Sequence, residues 1–262
     1  MTGNVGILPS AWSKSTVGMA SMLYFSRVKL DRDAPTRALY ALLEPQDPSA
    51  RMDAHHRLIW TLFPSTHEQK RDFLWRADGA GRFFILSARP PEGNELFRQP
   101  LETKEFTPCI SPGDCFAFTL RANATKDRPR GKLDDGGNRR VDVVMHALKS
   151  TPGQQDMPDT EQSRRPALRF KLADREGRKW LDRQGAGCGF TINGFVLDDY
   201  STIPLPRRDN SRGRREREPK FGVLDMHGSL TVSDPDAFLT KLSVGFGRAK
   251  GFGCGLMLIR RA

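Results

Sequence analysis

The sequence SVGFGRAKGFGCG at residues 243–255 decides how the chain is interpreted, because five of its thirteen residues are glycine and only seven residues follow it. Three familiar glycine motifs do not fit. A Walker loop needs Lys and then Ser or Thr after its last glycine, whereas Phe252 follows Gly251. A dinucleotide-binding loop opens a βαβ unit, which seven residues cannot form. The match of KGFG to the RNP1 strand of RNA-recognition modules ends at Cys254 and Gly255.

The elements around this glycine loop predict its place in a fold. Before it, a helix is expected to begin at Asp234 or Pro235 and to end at Leu242, and after it a strand covers residues 256–260. Further upstream the pattern predicts a strand over CFAFTLRANAT, a helical stretch around residues 179–181, and strands near 189–196 and 222–232. This is the βαββαβ order of a ferredoxin-like domain, with the loop joining its second helix to its fourth strand.

The first half of the chain shows the same order. We expect a strand over residues 23–30, a helix from about 51 to 63 that Pro64 ends, and strands at 72–76, 82–88 and 101–107, with the second helix of the set the least clear. The predicted class is therefore α+β, with two tandem ferredoxin-like (βαββαβ) domains. The predicted boundaries are an N-terminal extension at 1–21, expected to be disordered, an N-terminal domain at 22–108, and a C-terminal domain with basic insertions at 113–262.

Composition points to a polyanionic partner. Lys and Arg outnumber Asp and Glu by 42 to 31, a net charge of +11, which favours nucleic acid over an anionic membrane. The sequence contains no apolar run near the roughly 20 residues of a membrane span and no secretory signal, so we expect a cytoplasmic protein without a membrane partner.

Metal and cofactor signals are absent from the sequence. The four cysteines (Cys109, Cys115, Cys188 and Cys254) form no CxxC pair, and we interpret them as buried or incidental thiols. The acids are scattered, and neither GxSxG nor HExxH occurs. We therefore expect no cofactor and no metal site, and any cleavage chemistry should be metal-independent.

Two adjacent histidines lie on the predicted helix DAHHRLIWTLF, residues 53–63. On a helical wheel His55 shares the apolar arc centred on Ile59, whereas His56 lies at its flank beside Trp60. The wheel predicts that His55 is buried and that His56 faces a cleft. An imidazole can accept or donate a proton at neutral pH, as cleavage of RNA by its own 2′-hydroxyl requires, although a lone histidine is more often structural.

Two segments are rich in cations. PRRDNSRGRREREP at 206–219 holds six arginines and three acids, and KDRPRGKLDDGGNRR lies at 126–140. Each segment is either a solvated loop or an arm that becomes ordered on a phosphate backbone. The glycine loop likewise is either a tight helix-to-strand turn or, through its exposed amides, Arg248 and Lys250, a phosphate-binding element.

Four stretches together resemble the CasE family, the CRISPR repeat-processing endoribonucleases of type I-E systems in the RAMP superfamily. In chain order they are LYFSRVKL at 23–30, HRLIWTLFP at 56–64, FAFTLRANATK at 116–126 and GFGRAKGFGCGLML at 245–258, with RDFLW at 71–75 adding to the set. The resemblance spans about residues 22–262.

The resemblance implies an enzyme that binds the hairpin of a CRISPR repeat, cleaves at the 3′ base of its stem, and keeps the guide RNA as a subunit of the Cascade complex. It places the family's catalytic histidine at His56, four residues before Trp60. Asp53 stands where the family often has a tyrosine, so assistance is expected from Asp53, from Arg57 or from a cation of the loops. The residues expected to contact RNA are Arg121, Asn123, Lys126, Arg128, Arg130, Lys132, Arg207, Arg208, Arg212, Arg214, Gly245, Gly247, Arg248, Lys250, Gly251 and Gly253.

Two other interpretations stay open from the sequence. One is an RNA-hairpin-binding subunit of the same fold that does not cut, since the family tyrosine is missing. The other is a basic DNA- or ribosome-associated protein, which would bind any duplex with a steep dependence on salt.

Overall fold

The computed structural model describes residues 22–33, 36–64, 71–129, 138–151, 165–204 and 220–262. The predicted extension at 1–21 lies outside these residues. The strands are β1 Tyr24–Lys29, β2 Phe73–Ala77, β3 Arg82–Ser87, β4 Glu102–Glu105, β5 Cys115–Ala122, β6 Thr125–Pro129, β7 Asn138–Asp142, β8 Phe190–Pro204, β9 Lys220–Val232 and β10 Met257–Arg261. The helices are α1 Thr36–Leu43, α2 Pro48–Trp60, α3 Val143–Lys149, α4 Arg165–Gly187 and α5 Pro235–Val244.

The N-terminal sheet has the order β2-β3-β1-β4 and is antiparallel throughout. This is the ferredoxin-like order, in which the first strand lies between the third and the fourth. The predicted second helix is wrong, since residues 88–101 between β3 and β4 contain no helix. Pro90, Pro91, Gly93 and Pro100 explain this, because proline removes helical hydrogen bonds and glycine is a poor helix former.

Two helices precede β2, and only one of them is predicted. The missed helix α1 has the sequence TRALYALL and packs Leu43 against the N-terminal core. Helix α2 begins at Pro48, three residues before the predicted start, because the Asp47 side chain accepts a hydrogen bond from the amide of Ala50 and proline suits the first turn. The helix ends at Trp60, and residues 61–63 form a turn before Pro64.

The C-terminal sheet has the order β10-β5-β9-β8, again antiparallel and ferredoxin-like. Helices α4 and α5 occupy the two crossover positions, and Asp234 caps α5 by accepting from the amide of Ala237. The polar insertion after β5 contains the β6–β7 hairpin and α3, whose first turn is capped by Asp142. The structure therefore has the predicted class of two tandem ferredoxin-like domains.

The glycine loop lies between α5 and β10, as predicted, and contacts both domains. Its Arg248 amide donates to the carbonyl of Asn123 at 3.1 Å, and the Gly255 amide donates to the carbonyl of Arg121 at 2.7 Å. Leu256, just after the loop, is buried with Leu74 and Leu86 of the N-terminal sheet. The loop is therefore attached to β5 on one side and to the N-terminal domain on the other.

Within the described ranges, no helix has the length and apolar character needed to span a membrane.

Candidate active site

Helix α2 places its two histidines in opposite environments. His55 is only 7% exposed and contacts the ring of Phe83 edge-on, with centroids 4.8 Å apart. Its Nε2 lies 3.0 Å from a carboxylate oxygen of Glu44. His56 is partly exposed and packs between Trp60 and Phe252. The helical wheel thus assigned the buried and the more exposed histidine as the structure has them.

The glycine loop holds the imidazole of His56 through one carbonyl group. Nδ1 of His56 lies 2.7 Å from the carbonyl oxygen of Gly251, and the indole Nε1–H of Trp75 donates to the same oxygen at 3.1 Å. A carbonyl oxygen only accepts hydrogen bonds, so Nδ1 carries the proton. Nε2 of the neutral ring is then the nitrogen that can accept a proton from a substrate, and it can return that proton later.

Two side chains leave little room for a larger residue at position 251. A Cβ atom at this position would lie 3.2 Å from Nη1 of Arg71 and 3.5 Å from Cε1 of His56. The guanidinium and the imidazole therefore contact the same glycine. Lys250–Phe252 form a short 3₁₀ turn, so KGFG is not a strand as an RNP1 motif would require.

Gly245, Gly247 and Gly253 pack against protein atoms. Cβ atoms on them would meet Leu74, the carbonyl oxygen of Asn123, and Trp75 respectively. The glycines thus allow the loop to fit closely between the two domains and to present the Gly251 carbonyl to His56. The predicted contact of these glycines with RNA stays a prediction.

Cations surround the loop near His56. Burial lowers the pKa of Arg71, and its Nε is buried without a hydrogen-bond partner among the described residues. The pKa of Lys250 is lowered first by burial and then by the positive charges of Lys241, Arg71 and Arg248. Lys250 also donates from Nζ to the carbonyl of Val244 at 2.7 Å. The surroundings of the imidazole therefore favour a bound anion.

Asp53 and Arg57, the predicted assistants of His56, form an ion pair with each other one turn apart on α2. The Arg57 side chain is 78% exposed. The acceptor at Nδ1 of His56 is the Gly251 carbonyl and not the Asp53 carboxylate. A catalytic contribution from either residue stays a prediction.

The remaining predicted RNA contacts lie in different environments. Arg121 donates to Asp225 at 2.7 Å, and Asn123 is 5% exposed and donates to the carbonyl of Gly222 at 2.7 Å. Lys126 and Arg128 lie on β6. Outside the described residues lie Arg130, Lys132, Arg207, Arg208, Arg212 and Arg214.

Two residues of the site were missed from the sequence. Trp75 and Arg71 belong to RDFLW, which contributed to the family resemblance but carried no predicted role. The signal that could have identified Arg71 is its position directly before a buried strand, which places a cation at the edge of the sheet. Its contact with Gly251 spans 180 positions and could not be found from local pattern.

The sequence predicts no metal site, and we interpret its four cysteines as buried or incidental thiols. Among the residues that the structure describes, no group of three or more His, Cys, Asp or Glu side chains is arranged to hold a metal ion. Cys109 and Cys115 are exposed, Cys188 is partly buried, and Cys254 is buried. Burial raises the pKa of the Cys254 thiol to about 12, which keeps it protonated.

Comparison with solved structures identifies the fold. The fold matches the crystal structure of the CRISPR-associated protein Cas6e from Escherichia coli K-12 with a TM-score of 0.57 and 20% identity, over 91% of this chain and 100% of that one. It matches Thermus thermophilus Cse3, bound to an RNA representing a pre-cleavage complex, with a TM-score of 0.58 and 20% identity, over 91% and 99% of the two chains. The chain thus shares the fold of these two proteins, with two tandem ferredoxin-like domains.

Sequence comparison identifies the family. The chain is 24% identical over 250 residues to the CRISPR system Cascade subunit CasE of Escherichia coli (strain K12), covering 90% of this chain and 98% of that protein. A family model described as CRISPR associated protein matches residues 23–261. The chain belongs to this family, and the resemblance to CasE seen in the sequence is confirmed.

Proposed function

We propose that this protein is a CRISPR endoribonuclease that cleaves the hairpin of the repeat in precursor guide RNA and uses His56 as its proton-transfer group. The observation that carries the proposal is the hydrogen bond from Nδ1 of His56 to the Gly251 carbonyl, at 2.7 Å. It fixes the ring so that Nε2 is available to a substrate, in a place where Arg71 and Lys250 provide positive charge.

The reaction follows from the groups present. The 2′-hydroxyl beside the scissile phosphate loses its proton, and its oxygen attacks phosphorus in line. The bond from phosphorus to the 5′-oxygen breaks. The leaving oxygen takes a proton, which gives a 2′,3′-cyclic phosphate and a 5′-hydroxyl. Nε2 of His56 serves as the base, the acid, or both in turn, and no metal ion takes part.

A positioned acid or base contributes roughly 10²- to 10⁴-fold to a rate. The remaining acceleration comes from holding the attacking oxygen in line with the bond that breaks, which is the task of the RNA-binding residues. Slow, single-turnover cleavage suits a protein that keeps its product.

We further propose that the protein stays on the 3′ hairpin of the mature guide RNA as a Cascade subunit. The similarity to CasE, a Cascade subunit, supports this, as does the net charge of +11. The proposed RNA surface joins the glycine loop to the basic insertions. For Asn123 we propose an indirect part, because its buried side chain and its carbonyl hold β9 and the glycine loop in place.

The test is cleavage of the hairpin repeat RNA encoded beside the gene, in EDTA, with protein in excess. We expect one cut, a fall of about 10²-fold or more in His56→Ala, and no cut in RNA that is 2′-deoxy at the scissile position. His227→Ala is the matched control, because His227 is an exposed histidine that pairs with Asp198. Tight hairpin binding without cutting would support a guide-holding subunit instead, and a requirement for a divalent cation would contradict the mechanism.

A further inference from the structure

Arg71 is one of the cations around Lys250 and lies two residues before β2. The position of a Cβ on Gly251 is 3.2 Å from Nη1 of Arg71 and 3.7 Å from Nδ1 of His56, so the guanidinium approaches the same face of the glycine as the imidazole. Arg71 lies in the segment that leads into β2 and His56 lies on α2, and Gly251 lies between the two side chains. A phosphate that meets Nε2 of His56 would therefore lie close to the guanidinium of Arg71.

Among the described residues, no carboxylate is paired with Arg71. Burial is the cause that lowers its pKa. The carboxylate of its neighbour Asp72 is paired with Arg89 at 2.8 Å. Nε of Arg71 is buried and has no hydrogen-bond partner within the part of the chain that the structure describes. A half-buried guanidinium with unused donors is costly in the free protein, and the cost is removed when an anion binds.

Two other cations near His56 are partly committed. Arg57 is paired with Asp53, and Lys250 uses one of its three donors in a hydrogen bond to the carbonyl of Val244. Arg71 keeps a planar pair of donors, and this geometry matches two oxygens of a phosphate.

We propose that Arg71 is a catalytic residue whose guanidinium binds the non-bridging oxygens of the scissile phosphodiester beside His56. The inference rests on the proposed cleavage reaction and adds to it the group that stabilises the negative charge of the pentacoordinate phosphate. Charge grows on these oxygens as the 2′-oxygen attacks, so the guanidinium binds the transition state more strongly than the substrate.

The experiment is single-turnover cleavage of the hairpin repeat RNA in EDTA, at protein concentrations that saturate each variant. Arg71→Gln is compared with Arg71→Lys, with Arg71→Ala in added guanidinium, and with the control Arg82→Gln. Arg82 is an arginine of the same domain that pairs with Asp78 on the β2–β3 hairpin. Hairpin affinity and thermal unfolding are measured for every variant.

For Arg71→Gln we expect the saturated rate to fall about 10²-fold or more, the typical loss for one oxyanion donor, while the affinity for the hairpin falls much less. Guanidinium should restore part of the rate to Arg71→Ala and none to His56→Ala. Should Arg71→Gln fail to fold, Arg71→Lys decides, since an ammonium cannot provide the paired donors and its rate must still fall.

A normal saturated rate in Arg71→Gln, or a loss confined to affinity, would overturn the role of Arg71 and leave the proposed function intact. A wild-type protein that does not cut, or a His56→Ala variant that cuts normally, would overturn the proposed function and the role of Arg71 with it.

Discussion

Two adjacent histidines of helix α2 lie in different environments, His55 in the core and His56 at a partly exposed position. His55 packs on Phe83 and faces Glu44, whereas His56 points to the glycine loop. Burial lowers the pKa of His55, although Glu44 opposes this by raising it. His55 therefore binds a proton at a lower pH in the folded protein than in the unfolded chain, where it does so near pH 6.5.

This difference gives a residue-scale prediction for stability. Because the unfolded state binds more protons, the contribution of His55 is present above about pH 6.5 and is lost as the pH falls through its lowered folded pKa. One proton of difference changes the unfolding free energy by about 1.4 kcal/mol per pH unit. We expect His55→Leu and His55→Gln to lose less stability than wild type between pH 7 and pH 5 in urea unfolding. Parallel pH profiles for all three proteins would contradict the prediction.

At the scale of elements, the glycine loop has two kinds of glycine. Gly247 has a φ of 67°, and a Cβ there would lie 2.5 Å from the carbonyl oxygen of Asn123. Gly251 meets only the flexible end of Arg71 and the ring of His56. The backbone requires the first glycine, and the site requires the second.

Two matched substitutions separate these roles. Gly247→Ala should lower the unfolding free energy by about 2–4 kcal/mol, because it combines left-handed strain with a backbone clash. Gly251→Ala should stay within about 1 kcal/mol of wild type, yet lose hairpin cleavage at saturating protein because it displaces Arg71 or His56. Urea unfolding and single-turnover cleavage are the measurements. Equal stability losses in the two variants, or full cleavage by Gly251→Ala, would show that this division is wrong.

The same elements show how far local sequence signals reach. Period-two patterns located the eight strands of the two large sheets but not β6 and β7, and Asp234-Pro235 marked the start of α5. Strand alternation and helix caps are properties of neighbouring residues. Helix α1 was missed since it follows Pro35 and is short. The second N-terminal helix was wrongly expected because the βαββαβ order was extended over a segment that its prolines keep irregular.

For the site, sequence separated His56 from His55 through the helical wheel, but it could not identify Trp75 and Arg71 as its neighbours. Their contacts with Gly251 join β2 of one domain to the loop of the other, and only the folded junction brings them together. Local periodicity carries no information about such a pairing.

At the scale of the whole molecule, the junction between the domains contains a second charged group besides the site. Burial lowers the pKa of Arg76 on β2 of the N-terminal domain, and the charge of Asp225 on β9 opposes this by raising it. The Asp225 carboxylate also accepts from Arg121 on β5 at 2.7 Å. Burial raises the pKa of Asp225, so both charges are partly desolvated. This group connects the two domains, and the junction holds His56 against the Gly251 carbonyl.

A double-mutant cycle tests that connection. Asp225→Leu leaves Arg76 and Arg121 without their carboxylate, so we expect the unfolding free energy to fall by about 3–5 kcal/mol. The double variant Arg76→Met, Asp225→Leu should lose less than the sum of the two single variants, with a coupling energy of about 0.5–3 kcal/mol. The control is the exposed pair Arg27–Glu102, whose two side chains are 53% and 63% exposed; its coupling should not exceed about 1 kcal/mol. Urea unfolding provides all the values. Additive effects at Arg76 and Asp225 would mean that this charged group does not hold the domains together, and cleavage should then survive Asp225→Leu. A coupling predicts instead that loss of the carboxylate loosens the junction and slows cleavage by His56.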